Sequence, residues 1–127
     1  MNGSVPESIS LLSSIETIDW GWNSISGSIP SSFQWLSSLT YLDLTYNPYS
    51  IPPNFNFPAN LQRLIMSKAY SNTLPSSLAS ISLLHLIELD YSSNTMDLAL
   101  FKTICSITTL QKLALSFCLG LGQHLHP

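Results

Sequence analysis

The chain has 127 residues, enough for one small domain, and hydrophobic residues make up 45% of it. Only 9% of the residues are charged, the formal net charge is −3, and the four basic residues form no cluster, which excludes a typical nucleic-acid-binding surface. The longest strongly apolar stretch is about half the ~20 residues that a membrane-spanning helix needs, so no membrane span is predicted.

The pattern Leu-x-x-Leu-x-Leu-x-x-Asn occurs five times along the chain, with substitutions at some of its positions. The copies begin at residues 15, 39, 61, 86 and 110, so successive copies start 24, 22, 25 and 24 residues apart. Within each copy, apolar residues two positions apart have the period of a short strand with one face directed inward. Strands are therefore predicted at residues 16–20, 40–44, 62–66, 87–91 and 111–115.

Upstream of several of these strands, apolar residues recur at every third position, as in Phe33, Leu36 and Leu39. This period suits a 3₁₀ or short helical turn on the opposite side of each coil. Because a single coil cannot bury its apolar face alone, successive coils must stack and share one core. Trp20 is expected in that core, and Trp35 is expected to pack between coils.

The last position of the repeat carries Asn23, Asn47 and Asn94, whereas the third copy has Ala69 and the fifth has Cys118. An inward-facing amide at this position can satisfy backbone groups of its own turn and of neighbouring turns, which a buried loop would otherwise leave unpaired. The three asparagines and the cysteine that replaces the fourth are therefore predicted to form a structural ladder along the chain.

The segments Gly3-Ser4-Val5-Pro6 and Gly27-Ser28-Ile29-Pro30 match the Gly-x-Ile-Pro signature that follows the Asn in plant-type leucine-rich repeats. Together with the five repeats, these segments make the chain resemble that family over roughly residues 2–119. The resemblance implies an α/β fold, a right-handed solenoid with a concave parallel β-sheet and short 3₁₀ or helical turns on the convex side. Half a repeat and five repeats would occupy residues 1–119, and residues 120–127 would form an irregular tail.

Alternation along the strands places one set of side chains on the concave face, which solenoids use to bind partners. Exposed aromatic residues dominate interface energetics, so Trp22, Tyr41 and Tyr46 are the best anchors. An alternative is that these aromatic residues only pack on one another across the strands. The ligand-binding candidates on this face are Trp22, Tyr41, Tyr46, Arg63, Lys68, Asp19, Asp43 and Asp90.

Two of these candidates, Asp19 and Asp43, would hold carboxylates about 5 Å apart on neighbouring strands, and carboxylate pairs at such spacing catalyse glycoside cleavage. The stacking of repeats makes the spacing automatic, however, and no nucleophile, cleft or lid accompanies the pair. The chain is therefore expected not to be an enzyme. No cofactor or metal is expected either, because His124 and His126 are too few for a zinc site.

The resemblance implies a non-catalytic module that recognises a protein or peptide, belonging to the ectodomain of a plant leucine-rich-repeat receptor-like kinase or receptor-like protein. The implied partner is a protein or peptide ligand or a co-receptor, and the implied location is extracellular or at the plasma membrane. In such receptors phosphoryl transfer belongs to a separate cytoplasmic domain. Because neither end carries a cap, the chain is expected to be a piece of a longer protein.

Two alternatives to a receptor fragment stay open at this point. One is a secreted polygalacturonase inhibitor involved in defence, which uses the same plant repeat, and the other is a degenerate repeat remnant with only a scaffold role. Asn2 lies in a glycosylation sequon, which is compatible with a secreted parent protein. The sequence leaves open whether Cys105 and Cys118 are bonded to each other.

Overall fold

The structure is a computed structural model, and the residues that it describes are 2–52, 55–67, 85–96, 98–116 and 118. The predicted tail, Lys68 and the two tail histidines lie outside these residues, as does the side chain of Asn2. The strands of the described part are β1 (Asn2–Ser4), β2 (Thr17–Asp19), β3 (Ser24–Ser28), β4 (Tyr41–Asp43), β5 (Tyr49–Ser50), β6 (Arg63–Ile65), β7 (Glu88–Asp90) and β8 (Lys112–Ala114).

The larger sheet contains the five parallel strands β2, β4, β6, β7 and β8 in that order. The central residue of each strand points into the core, and these residues are in register: Ile18, Leu42, Leu64, Leu89 and Leu113. The first four are buried, and Leu113 is 40% exposed because β8 is the edge strand. The predicted strand ranges each extend one residue beyond the observed strands at both ends. Hydrogen bonds such as that from the Trp20 N–H to the Asp43 carbonyl, 2.9 Å, continue the pairing into those flanking residues.

A second parallel sheet contains β1, β3 and β5, and the sequence analysis did not predict it. Its strands are two to five residues long and mostly polar, so they lack the alternation by which strands are recognised. The sequence feature that marks these strands is the repeated glycine. Gly3 and Gly27 have φ angles of +107° and +77°, which side chains rarely allow. A side chain at Gly27 would also place its Cβ 3.2 Å from the Cβ of Ser4 on the adjacent strand. Glycine therefore allows both the backbone conformation and the close approach of β1 and β3.

The convex side is formed by short helical segments that follow the second sheet. The described residues include two 3₁₀ helices, Glu7–Leu11 and Ser31–Trp35, and one α-helix, α1 (Leu98–Cys105). Proline precedes both 3₁₀ helices; Pro6 and Pro30 are still extended, with φ of −75° and −70° as the proline ring requires, and the helical turn begins at the next residue. The succession of strand, second strand and helical turn in stacked coils confirms the predicted α/β solenoid. Among the described residues, no helix is long and apolar enough to span a membrane.

The core lies between the larger sheet and the convex turns. Phe33 contacts Trp20 of its own coil edge-on at a centroid distance of 6.2 Å and Phe55 of the next coil at 6.3 Å, so aromatic packing joins these two successive coils. Trp20 is accordingly part of the core periphery, as expected. The expectation for Trp35 was wrong, because this side chain is 66% exposed. Phe33 occupies the inward position of the same 3₁₀ helix, which leaves Trp35 at its end on the convex surface.

Candidate functional site

Two rows of side chains cross the concave face of the larger sheet. The strand register defines them residue by residue. The charged row contains Thr17, Tyr41, Arg63, Glu88 and Lys112, and the aspartate row contains Asp19, Asp43, Ile65, Asp90 and Ala114. Tyr41 is therefore the direct neighbour of Arg63, and Asp19 of Asp43, whereas Ile65 separates Asp90 from the other two aspartates.

At the C-terminal end of the charged row, one carboxylate pairs with two cations. Glu88 pairs with Arg63 through Nε and Oε1 at 3.2 Å, and with Lys112 through Nζ and Oε2 at 3.6 Å. Cross-strand ion pairs at a surface contribute less than about 1 kcal/mol each to stability. They do, however, hold the Arg63 guanidinium over β7. A ligand that binds the Arg63 guanidinium therefore competes with the Glu88 carboxylate.

Tyr41 lies half-buried on β4, the second strand of the larger sheet, between Thr17 and Arg63. Burial raises the pKa of its hydroxyl, and the neighbouring carboxylates of Asp43, Asp19 and Glu88 add to the shift, while Arg63 opposes it. The hydroxyl therefore stays protonated at neutral pH. It can donate one hydrogen bond to a ligand and accept others.

The aspartate row has a structural role that the sequence analysis missed. Oδ1 of Asp19, Asp43 and Asp90 accepts a hydrogen bond from the backbone N–H two residues ahead, at 3.3, 2.9 and 3.0 Å respectively. Each carboxylate thereby closes the turn that follows its strand. The available signal was the repeated Asp just before a turn, since Asp side chains favour this local bond. Each Asp keeps a second oxygen that forms no hydrogen bond with the described residues.

Trp22 and Tyr46 form an aromatic pair at the end of β2 and β4. Their rings are nearly parallel, at an interplanar angle of 14° and a centroid distance of 3.8 Å. Both residues have the left-handed backbone conformation, with φ of 60° and 61°, which is uncommon for bulky side chains. The rings pack on each other across the strands, which was the alternative to a binding role, yet Trp22 remains 73% exposed. The pair therefore also presents an aromatic surface to solvent.

Two carboxylates converge next to this aromatic pair. An ideal Cβ at Gly21 would lie 3.6 Å from Oδ1 of Asp19 and 3.5 Å from Oδ1 of Asp43. Gly21 immediately precedes Trp22 in the chain, so the two carboxylates meet one residue before the aromatic pair. We call Asp19, Asp43, Trp22 and Tyr46 the acidic–aromatic corner. Neither of its aspartates takes part in the ion pairs formed by the described residues.

The asparagine ladder lies below the concave face. The Asn47 side chain is buried, and its Nδ2 donates to the carbonyls of Trp20, Leu44 and Thr45 at 2.9, 3.2 and 3.1 Å. Its Oδ1 accepts the backbone N–H of Ile25 at 3.0 Å. One amide thus bonds to backbone groups of two successive coils, which fixes the turn beneath the aromatic pair.

The other members of the ladder make equivalent bonds. Nδ2 of Asn94 donates to the Met66 carbonyl of the preceding coil at 2.9 Å, and Nδ2 of Asn23 donates to the Trp20 carbonyl at 3.0 Å. Sγ of Cys118 donates to the Tyr91 carbonyl at 3.3 Å, in the place of an amide. Both cysteines are free thiols, and burial raises the pKa of Cys118. In the described residues, no group of three or more His, Cys, Asp or Glu side chains can hold a metal ion.

Comparisons with known proteins agree with this geometry. The leucine-rich repeat family model matches residues 14–36 and 38–57. The solved structure of the plant peptide hormone receptor RGFR1 in complex with RGF2 is similar over 92% of this chain, with a TM-score of 0.71 and 31% sequence identity. The chain is a plant-type leucine-rich-repeat protein. This leucine-rich-repeat chain spans only 19% of the length of the RGFR1 chain.

A second solved structure matches the leucine-rich-repeat chain more weakly. It is the leucine-rich-repeat ectodomain of the plant membrane receptor kinase GASSHO1/SCHENGEN3 from Arabidopsis thaliana in complex with CASPARIAN STRIP INTEGRITY FACTOR 2. The identity is 23% and the TM-score 0.48, over 90% of this chain and 20% of the other. A search of curated protein sequences gave no match.

Proposed function

We propose that this leucine-rich-repeat chain is a non-catalytic module that binds a peptide on the concave face of its larger sheet. The observation that carries the proposal is the register of five strands, which presents two rows of polar and aromatic side chains on a rigid surface. The similarity to RGFR1, solved in complex with RGF2, supports a peptide as the ligand. The eight candidate residues of the concave face remain predictions for the contact surface.

The dimensions of the sheet suit an extended peptide. Five parallel strands at about 4.8 Å spacing span about 19 Å across the sheet. An extended chain rises about 3.3 Å per residue, so about six residues of a peptide can cross all five strands. Tyr41 and Arg63, near the middle of this path, are the residue types that contribute most to binding energy at interfaces.

We also propose that the module belongs to the ectodomain of a plant receptor-like kinase or receptor-like protein. Such a module faces the extracellular side of the plasma membrane and contacts the ligand or a co-receptor. The receptor similarity supports this placement, and the sequon at Asn2 is compatible with it. Phosphoryl transfer in the parent receptor would be the task of another domain.

Selection from a displayed library of random 12-residue peptides tests the proposal. Peptides selected on the immobilised chain are measured by isothermal titration calorimetry against the wild type and the double variant Tyr41→Ala/Arg63→Ala. The matched control is Leu11→Ala/Trp35→Ala, which removes two exposed apolar side chains from the convex surface.

The double variant on the concave face should bind the selected peptides at least about tenfold more weakly, which corresponds to about 1.4 kcal/mol. The convex control should bind within about twofold of the wild type. Equal losses in both variants, or no selected peptide from a chain with a cooperative unfolding transition, would contradict the proposal. Inhibition of a fungal polygalacturonase by the chain would favour the defence-inhibitor alternative instead.

A further inference from the structure

We propose that the acidic–aromatic corner binds the positively charged side chain of an arginine or lysine in the peptide ligand. This inference rests on the proposed function, because it specifies the ligand chemistry at one end of the same concave face. The corner combines an exposed aromatic surface with two carboxylates. Each of these two features favours a cation over a neutral or anionic group.

The aromatic part is available to a ligand from one side. Tyr46 covers one face of the Trp22 indole in the parallel stack, at 3.8 Å between centroids. Trp22 is nevertheless 73% exposed, so its other face and its edges are the exposed part. A tryptophan face is the aromatic surface that attracts a guanidinium or ammonium group most strongly. The neighbouring coil thus holds the indole in a fixed orientation for such a contact.

The carboxylates supply the complementary charge. Asp19 and Asp43 converge on the backbone of Gly21, and each uses one oxygen to close its own turn. The other oxygens can accept hydrogen bonds from the N–H groups of a cationic side chain. Arg63, on the strand next to Asp43, lies in the other row of the sheet and pairs with Glu88. Among the described residues, neither aspartate is therefore engaged by a cationic side chain.

The guanidinium of arginine fits this arrangement better than a compact ion does. Its planar group can stack on the indole of Trp22 while its N–H groups reach carboxylate oxygens at the edge. Lysine provides the same charge with less directional bonding. A carbohydrate could also stack on an indole and bond to carboxylates, but it would not gain from the negative charge. Dependence on ligand charge therefore separates the two ligand classes.

The test uses two pentapeptides that differ in one charge. The first is acetyl-Gly-Ser-Arg-Ser-Gly-amide, and the second has citrulline in place of arginine, which keeps the shape and removes the charge. Both are titrated into the ¹⁵N-labelled full chain, and the indole N–H resonance of Trp22 is followed by NMR. The resonance is assigned from its loss in Trp22→Gly, a variant whose glycine tolerates the left-handed backbone.

The arginine peptide should shift the Trp22 resonance with a Kd at least about fivefold lower than that of the citrulline peptide. The double variant Asp19→Asn/Asp43→Asn should remove this preference, since asparagine keeps the turn acceptor but not the charge. The matched control is Asp90→Asn, which changes an aspartate with the same turn bond away from the aromatic pair and should keep the preference. Raising the salt concentration should weaken the arginine peptide selectively.

Equal shifts by both pentapeptides would overturn the inference, as would tighter binding of a cello-oligosaccharide at Trp22. Selected peptides that depend on Tyr41 and Arg63 but contain no preferred arginine or lysine would also overturn it, while leaving the proposed function intact. Conversely, a selection that yields no peptide would contradict the proposed function, even if the arginine-dependent shift at Trp22 still assigned cation binding to the corner.

Discussion

Replacing Asn47 by alanine tests whether the buried amide ladder holds the coils together. The change removes four hydrogen bonds, three donated by Nδ2 and one accepted by Oδ1. The carbonyls of Trp20 and Thr45 keep other donors, whereas the N–H of Ile25 and the carbonyl of Leu44 lose this partner. A buried polar group left unsatisfied costs about 1–3 kcal/mol, so two such groups amount to about 2–6 kcal/mol.

A loss near the middle of that range, about 4 kcal/mol, would be a large share of the 5–15 kcal/mol that typically stabilises a folded domain. Urea unfolding followed by circular dichroism measures the difference in the free energy of unfolding. The matched control is Asn60→Ala, because Nδ2 of the exposed Asn60 also donates to a carbonyl of the preceding coil, that of Ser37, at 2.7 Å. The control should lose less than about 1 kcal/mol. If the two variants lose the same free energy within about 0.5 kcal/mol, the ladder is not the stabilising element described above.

Three further predictions concern packing, two tyrosine hydroxyls and the half-buried thiol of Cys118. Leu89→Ala should lower the free energy of unfolding by about 2–5 kcal/mol, because it leaves a cavity between coils. Leu113→Ala, at the exposed edge of the same row, should lower it by at most about 1 kcal/mol. Urea unfolding measures both changes. Tyr49→Phe should raise the free energy of unfolding by about 1 kcal/mol, because the Tyr49 hydroxyl is buried and has no hydrogen-bond partner among the described residues. Tyr91→Phe should lower the free energy of unfolding by a similar amount, because the Tyr91 hydroxyl donates a hydrogen bond to the Thr95 carbonyl. Urea unfolding of the two variants shows whether the changes have opposite signs. Burial raises the pKa of Cys118, so iodoacetamide should modify this thiol at pH 8 more slowly than the exposed Cys105 of α1. Mass spectrometry of the labelled peptides across pH 7–10 measures the two rates. Faster modification of Cys118 would contradict the prediction.

On the concave face, the repeat predicts which residues are neighbours but not which contacts their side chains form. The repeat period places Asp19 beside Asp43 and Tyr41 beside Arg63, and the observed register has the same neighbours. The period does not specify what each side chain does there. Arg63 lies within reach of Glu88 because the next coil follows at strand spacing, and the resulting ion pair involves two residues 25 positions apart.

The turn after each strand is a second example. The sequence analysis identified Trp22 and Tyr46 as aromatic candidates and included packing of the rings on each other as an alternative, but it did not predict their left-handed backbone. These turns are joined by Asn47, whose amide bonds to Trp20 and Ile25 of one coil and to Thr45 of the next. The second sheet was missed for a related reason, since its short polar strands gain their order from neighbouring coils and not from their own composition.

The sequence by itself determined the architecture. Apolar residues two apart, apolar residues three apart and a terminal asparagine recur about every 24 residues, and stacked coils are the arrangement that buries most of these apolar side chains. Only the tertiary structure decided how the surface is divided between structural bonds and groups open to a ligand. That division depends on atoms from different coils lying within a few ångströms of one another. It uses Oδ1 of Asp19, Asp43 and Asp90 to close turns, and it leaves the indole of Trp22 exposed to a ligand.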